Sequence, residues 1–64
     1  MKIRQMRGER GWTQHQLAER VSCSRRSIQM WEAGVIPLPV YQRLLADAFR
    51  VTVAELGFER VSAA

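Results

Sequence analysis

A single cysteine, Cys23, leaves this 64-residue sequence unable to close a disulfide within the chain or to build a cysteine-based metal site. The one histidine, His15, lacks the set of partners that a metal site needs, so no metal centre is expected. No apolar run approaches the length that spans a membrane, and the polar start MKIRQMRGERG is unlike a secretory leader. A reducing, cytoplasmic setting fits these absences. Phosphate-binding glycine loops, Ser/His/Asp sets and paired carboxylates are also missing, and so short a chain encloses no large cleft. Catalysis is therefore not expected, nor is a cofactor.

Acidic residues are scarce relative to basic ones, 6 against 10, giving a net charge of +4. All the basic residues but Lys2 are arginine. Guanidinium forks suit phosphates and guanine edges, so the balance favours a nucleic acid or another anionic surface.

No period-two alternation marks a strand, whereas helical spacing recurs throughout. A first helix is expected over residues 2 to about 10, with Ile3 and Met6 inward and Gly11 as its left-handed stop. Gly8 inside it costs roughly 1 kcal/mol relative to Ala. Thr13 and Gln16 form a capping box for a second helix, stapled by Trp12 and Leu17. Leu17, Ala18 and Val21 make its buried stripe. Ser22 and Cys23 turn the chain. Ser24 caps a third helix over 24–33, with Ile28 and Trp31 inward and Arg25, Arg26, Gln29 and Met30 turned away.

The prolines of VIPLP (Val35 to Pro39) interrupt the helices, and Pro39 opens a fourth that runs to about Phe49, with Leu44, Leu45, Ala48 and Phe49 inward. Thr52 and Glu55 repeat the capping box for a short last helix, Val53 to Leu56. The fold class is thus all-α, five short helices around one core. The expected core is Ile3, Met6, Trp12, Leu17, Ala18, Val21, Cys23, Ile28, Trp31, Leu44, Leu45, Ala48, Val51, Val53 and Leu56. Residues 1–57 form the domain and 58–64 a C-terminal tail.

Thr13-Gln14, Leu17-Ala18-Glu19, Ser24, Ile28, Trp31-Glu32 and Gly34 together resemble the helix-turn-helix signature of the Cro/C1-type (Xre) repressor family. The resemblance covers about residues 2 to 57, with the helix-turn-helix proper at 13–34. It implies a lambda-repressor-like domain that places the helix at 24–33 in the major groove of an operator. Arg25, Arg26, Met30 and Gln14 then match base-reading positions. Thr13, Ser24, Ser27, Gln29 and Arg7 match phosphate-contacting or flanking ones. Arg7 and Glu32 match a structural ion pair. Read without the resemblance, the two arginines are a solvated face, Met30 is a tolerated apolar residue, and Arg7 and Glu32 are two surface charges.

The resemblance further implies a homodimer on an inverted repeat, acting as a repressor of its own small operon. Small phage and mobile-element regulators share this build. The alternative is an antitoxin or adaptor-type protein-interaction module on the same fold. Three departures from the family pattern stand out. Ser22 and Arg50 occupy positions where glycine is usual, and VIPLP lacks phosphate-clamping cations. That loop, or the fifth helix and a tail carrying Phe58 and Val61, is the candidate surface for a dimer contact or a protein partner, and Phe58 could instead fold back onto the core.

Overall fold

A computed structural model of the protein describes residues 2–58. Five helices follow in order: α1 (Ile3–Glu9), α2 (Gln14–Val21), α3 (Arg25–Glu32), α4 (Pro39–Phe49) and α5 (Val53–Leu56). No strand occurs among the described residues. This is the all-α, five-helix arrangement that the helical spacing predicts.

The helix starts are fixed by side chains close in sequence. Thr13 Oγ1 accepts the Gln16 N–H at 3.0 Å, and Gln16 Oε1 accepts the Thr13 N–H at 2.8 Å. Ser24 Oγ accepts the Ser27 N–H at 3.2 Å at the start of α3. Thr52 and Glu55 repeat the reciprocal pair, at 3.1 and 2.8 Å, at the start of α5. Each arrangement satisfies backbone donors that have no partner inside the helix. α4 begins instead on Pro39, whose missing N–H costs nothing there.

α2 and α4 end on non-glycine residues held in the left-handed region, Ser22 at φ 60° and Arg50 at φ 61°. A Cβ makes that conformation unfavourable by roughly 1–2 kcal/mol, part of which glycine returns as unfolded-state entropy. Ser22→Gly and Arg50→Gly should each therefore raise stability by up to about 1 kcal/mol, read as a higher midpoint in urea. Gly8 is the opposite case. A Cβ there would meet no atom within 4 Å. Gly8→Ala should stabilise α1 by about 0.5–1 kcal/mol, seen as a rise in Tm of several degrees.

The apolar faces of the helices meet in one core of Ile3, Leu17, Ala18, Val21, Ile28, Trp31, Leu45, Ala46, Phe49, Leu56 and Phe58. Met6, Trp12, Cys23, Tyr41, Ala48, Val51 and Val53 pack against it, partly buried. One expected core residue is displaced. Leu44 is exposed, and the inward stripe of α4 is Leu45, Ala46 and Phe49. Leu44 and Leu45 lie about 100° apart around the helix, so one orientation cannot bury both centrally. Seating Phe49 selects Leu45.

Of the two positions open to Phe58, the structure takes the inward one. It does not extend from the domain but packs into the core at 5% exposure. The rest of the expected tail, Val61 included, lies outside the described residues.

Trp12 stacks on Phe49 with ring centroids 5.6 Å apart. The Arg20 guanidinium lies 4.2 Å from the Trp12 ring centre. Arg10 covers the Phe49 ring at 5.0 Å and donates to the Phe49 carbonyl at 2.7 Å. Two of the chain's arginines thus roof its aromatic centre. The Lys2 N–H donates to the Leu56 carbonyl at 3.1 Å and ties the start of α1 to α5. Between α3 and α4, Pro37 is buried and its carbonyl accepts the Gln42 amide at 2.8 Å. No helix among the described residues is long and apolar enough to cross a membrane.

Candidate nucleic-acid interface

α2 and α3 are joined by a turn of three residues, in which the Cys23 N–H returns to the Ala18 carbonyl at 3.0 Å. Left-handed Ser22 reverses the chain there. The Ser24 cap fixes the first residue of α3, and so fixes which side chains face outward. Ile28 and Trp31 point into the core. Arg25, Arg26, Gln29 and Met30 are all exposed on the other side. Among the described residues, neither Arg25 nor Arg26 takes part in an ion pair. α3 therefore presents two uncompensated cations at its N-terminal end, where helix geometry lets side chains reach base edges.

Behind this face lies a polar network joining three helices. Arg7 of α1 donates from Nε to Glu32 Oε2 at 2.7 Å and from Nη2 to Glu32 Oε1 at 3.3 Å. Its Nη1 donates to the Trp12 carbonyl at 2.9 Å. Gln14 Nε2 at the start of α2 donates to Glu32 Oε1 at 3.0 Å. Gln29 Nε2 donates in turn to Gln14 Oε1 at 3.4 Å.

The side chains of Arg7 and Glu32 are only 17% and 8% exposed, so this ion pair is largely removed from water. Burial pushes the Glu32 carboxyl up. The hydrogen bonds from Arg7 and Gln14, with the charges of Arg7 and Arg4, outweigh it and hold the group below its ordinary value. Glu32 is thus a carboxylate at neutral pH.

The remaining candidates sort by position. Thr13 is exposed and Ser27 half-buried, and Ser24 and Ser27 hydroxyls lie 3.2 Å apart. Thr13 and Ser24 are occupied as caps. Arg7 uses three of its five N–H donors inside the protein, which turns it toward holding α1 against α3. Gln14 is half-buried rather than free, with both amide atoms engaged. Two features escape sequence reasoning. One is the link from Gln29 to Gln14, fifteen residues apart, for which no short-range spacing exists. The other is the outward display of Ile36 and Leu38 on either side of buried Pro37.

Cys23 is half-buried and burial pushes its thiol up, so it behaves as a small apolar residue rather than a nucleophile. His15 lies 3.3 Å from Glu19, both well exposed. Among the described residues no group of His, Cys, Asp or Glu could hold a metal ion.

A protein-family model described as helix-turn-helix matches residues 3–56, almost the whole described chain. No curated protein and no solved structure matches the chain.

Proposed function

The chain belongs to the Cro/C1-type (Xre) helix-turn-helix family, and from that premise we propose that it is a sequence-specific transcriptional regulator. It binds an inverted-repeat operator as a homodimer in the cytoplasm and represses its own small operon. α3 enters the major groove, Arg25 and Arg26 read guanine, and Met30 touches a thymine methyl. Thr13, Ser24 and Ser27 flank the backbone, and Gln14 supports the reading face. It needs no cofactor and is not an enzyme.

The observation that carries this reading is the exposed Arg25/Arg26 face, without an ion pair among the described residues, on a helix whose opposite side is locked into the core. A guanidinium can bind guanine O6 and N7 together, which is worth about 1–3 kcal/mol of base discrimination. The test is a mobility shift with promoter DNA at two salt concentrations. Specific binding should weaken with salt, with a log–log slope near 0.9 per phosphate neutralised. Arg26→Ala should relax the preference for guanine at one half-site position. Binding that ignores sequence, or selected half-sites without an important G·C pair, would sink the assignment.

The dimer proposal rests on a second surface. Val35, Ile36 and Leu38 of the loop, with Val40 and Leu44 one helical turn apart on α4, are all exposed. These large apolar side chains, 38–66% exposed, are the kind of surface that a partner covers. One acid and one base, Asp47 and Arg43, share the exposed side of α4. The patch is therefore nearly neutral on a basic chain, which suits a second copy of the chain better than DNA or an acidic partner.

Val40→Glu should abolish the dimer while keeping the fold, because an acid in the first turn of a helix is favourable. Sedimentation should then report a monomer, and affinity for the full palindrome should fall far more than for a half-site. The same patch is what favours the second reading, an antitoxin or adaptor that uses this face on another protein. A monomeric wild-type chain at micromolar concentration would favour that reading over the dimer.

A further inference from the structure

We propose that Gln29 is a specificity residue that reads adenine, its amide held in one orientation by hydrogen bonds running back through Gln14 and Glu32 to Arg7. The inference rests on the DNA-binding reading above and adds a base to it.

The direction of each bond in the chain is forced by chemistry. A carboxylate accepts hydrogen bonds and cannot donate them. The Gln14 atom 3.0 Å from Glu32 Oε1 must therefore be its amino nitrogen, Nε2. That places Gln14 Oε1 on the far side, toward Gln29. Gln29 must in turn present Nε2 to this oxygen, at 3.4 Å, because the reverse would set two acceptors against each other. The arginine anchors the sequence by two bonds to the same carboxylate, at 2.7 and 3.3 Å. The side chains involved come from α1, α2 and α3, so their relative positions are set by the packed core rather than by one flexible element.

The consequence lies at the exposed end. Gln29 has one amino hydrogen committed to Gln14. It retains its Oε1 acceptor and its second amino hydrogen for a ligand. An acceptor beside a donor is the complement of the adenine edge in the major groove, which offers N6–H₂ and N7. Guanine offers two acceptors on that edge, O6 and N7. A held amide would set its oxygen against O6, whereas a freely turning amide could offer both amino hydrogens instead. Gln29 follows Arg25 and Arg26 by one helical turn on the same exposed face. The half-site should therefore contain an adenine near the guanine contacted by the arginines.

The test selects binding sites from a random duplex pool with the full chain and with two variants, each checked for folding by thermal melt. The wild type should return a half-site with one strongly preferred adenine. Q29A should lose preference at that position by about tenfold or more while keeping the guanine positions. The residue is exposed, so this variant should fold and this arm alone decides the base assignment. Q14A should keep the guanines but let guanine compete with adenine at the Gln29 position. A structural role for Gln14 would instead weaken every position alike, and that outcome overturns the orientation claim. Half-sites with selected guanines but no adenine tied to Gln29 overturn the proposal and leave the DNA-binding reading standing. A wild type that selects no sequence overturns both.

Discussion

Glu32→Ala is expected to lower the stability of the domain by about 3 kcal/mol or more, the usual effect of removing one partner from a buried ion pair. The carboxylate accepts from Arg7 twice and from Gln14 once, and its side chain is nearly hidden from water. Its loss would leave a guanidinium and an amide facing the gap between α1, α2 and α3. A domain of this size has a total stability of only roughly 3–10 kcal/mol, so the variant should be largely unfolded near its normal working temperature. Urea denaturation measures the effect. A double-mutant cycle with Arg7→Ala isolates the pair, and a coupling indistinguishable from zero would reduce it to two unlinked charges.

The same carboxylate sets an acid limit. Its value in the folded protein lies below the ordinary 4.5, so the folded state holds the proton less tightly than the unfolded chain. The stabilisation is therefore complete above about 4.5 and disappears as pH falls through the lowered folded value. Glu32→Gln should flatten stability across that window, even at the cost of a lower plateau at neutral pH.

Phe49→Ala is the second large effect, about 3–5 kcal/mol. The ring is 1% exposed, stacks on Trp12 and lies under Arg10. Removing it opens a cavity under the C-terminal end of α4 and leaves Trp12 and Arg10 without their support. Circular dichroism should show loss of the cooperative transition. Leu44→Ala, five positions earlier on the outward face, should change the stability of the monomeric domain, measured in the Val40→Glu background, by no more than about 0.5 kcal/mol. If Leu44→Ala proved as damaging as Phe49→Ala, the orientation of α4 described here would be wrong.

That contrast also marks how far the sequence could be read. Three of the five helix starts were legible because each uses partners within four residues: Thr13 with Gln16, Ser24 with Ser27, Thr52 with Glu55. The left-handed stops at Ser22 and Arg50 were legible as positions where glycine is usual. The rotation of α4 was not, because adjacent Leu44 and Leu45 satisfy the same apolar pattern and only the seat of Phe49 decides between them. The fate of Phe58 was equally open, since one aromatic residue after a short helix can point either way. In the site, Arg25 and Arg26 followed from the helical face. The bond between Gln14 and Gln29 did not, because it exists only once α2 and α3 are docked.

The local caps have a bearing on time as well as shape. Structure whose starts are specified within four residues requires little long-range search. All-helical chains dominated by near-neighbour contacts fold in microseconds to milliseconds. A newly synthesised copy should therefore be folded almost as soon as it is complete. Stopped-flow refolding should show one fast phase, and under the proposed dimer the wait before a freshly made pool becomes active would then be set by how often two copies meet, which depends on their number rather than on the speed of the chain.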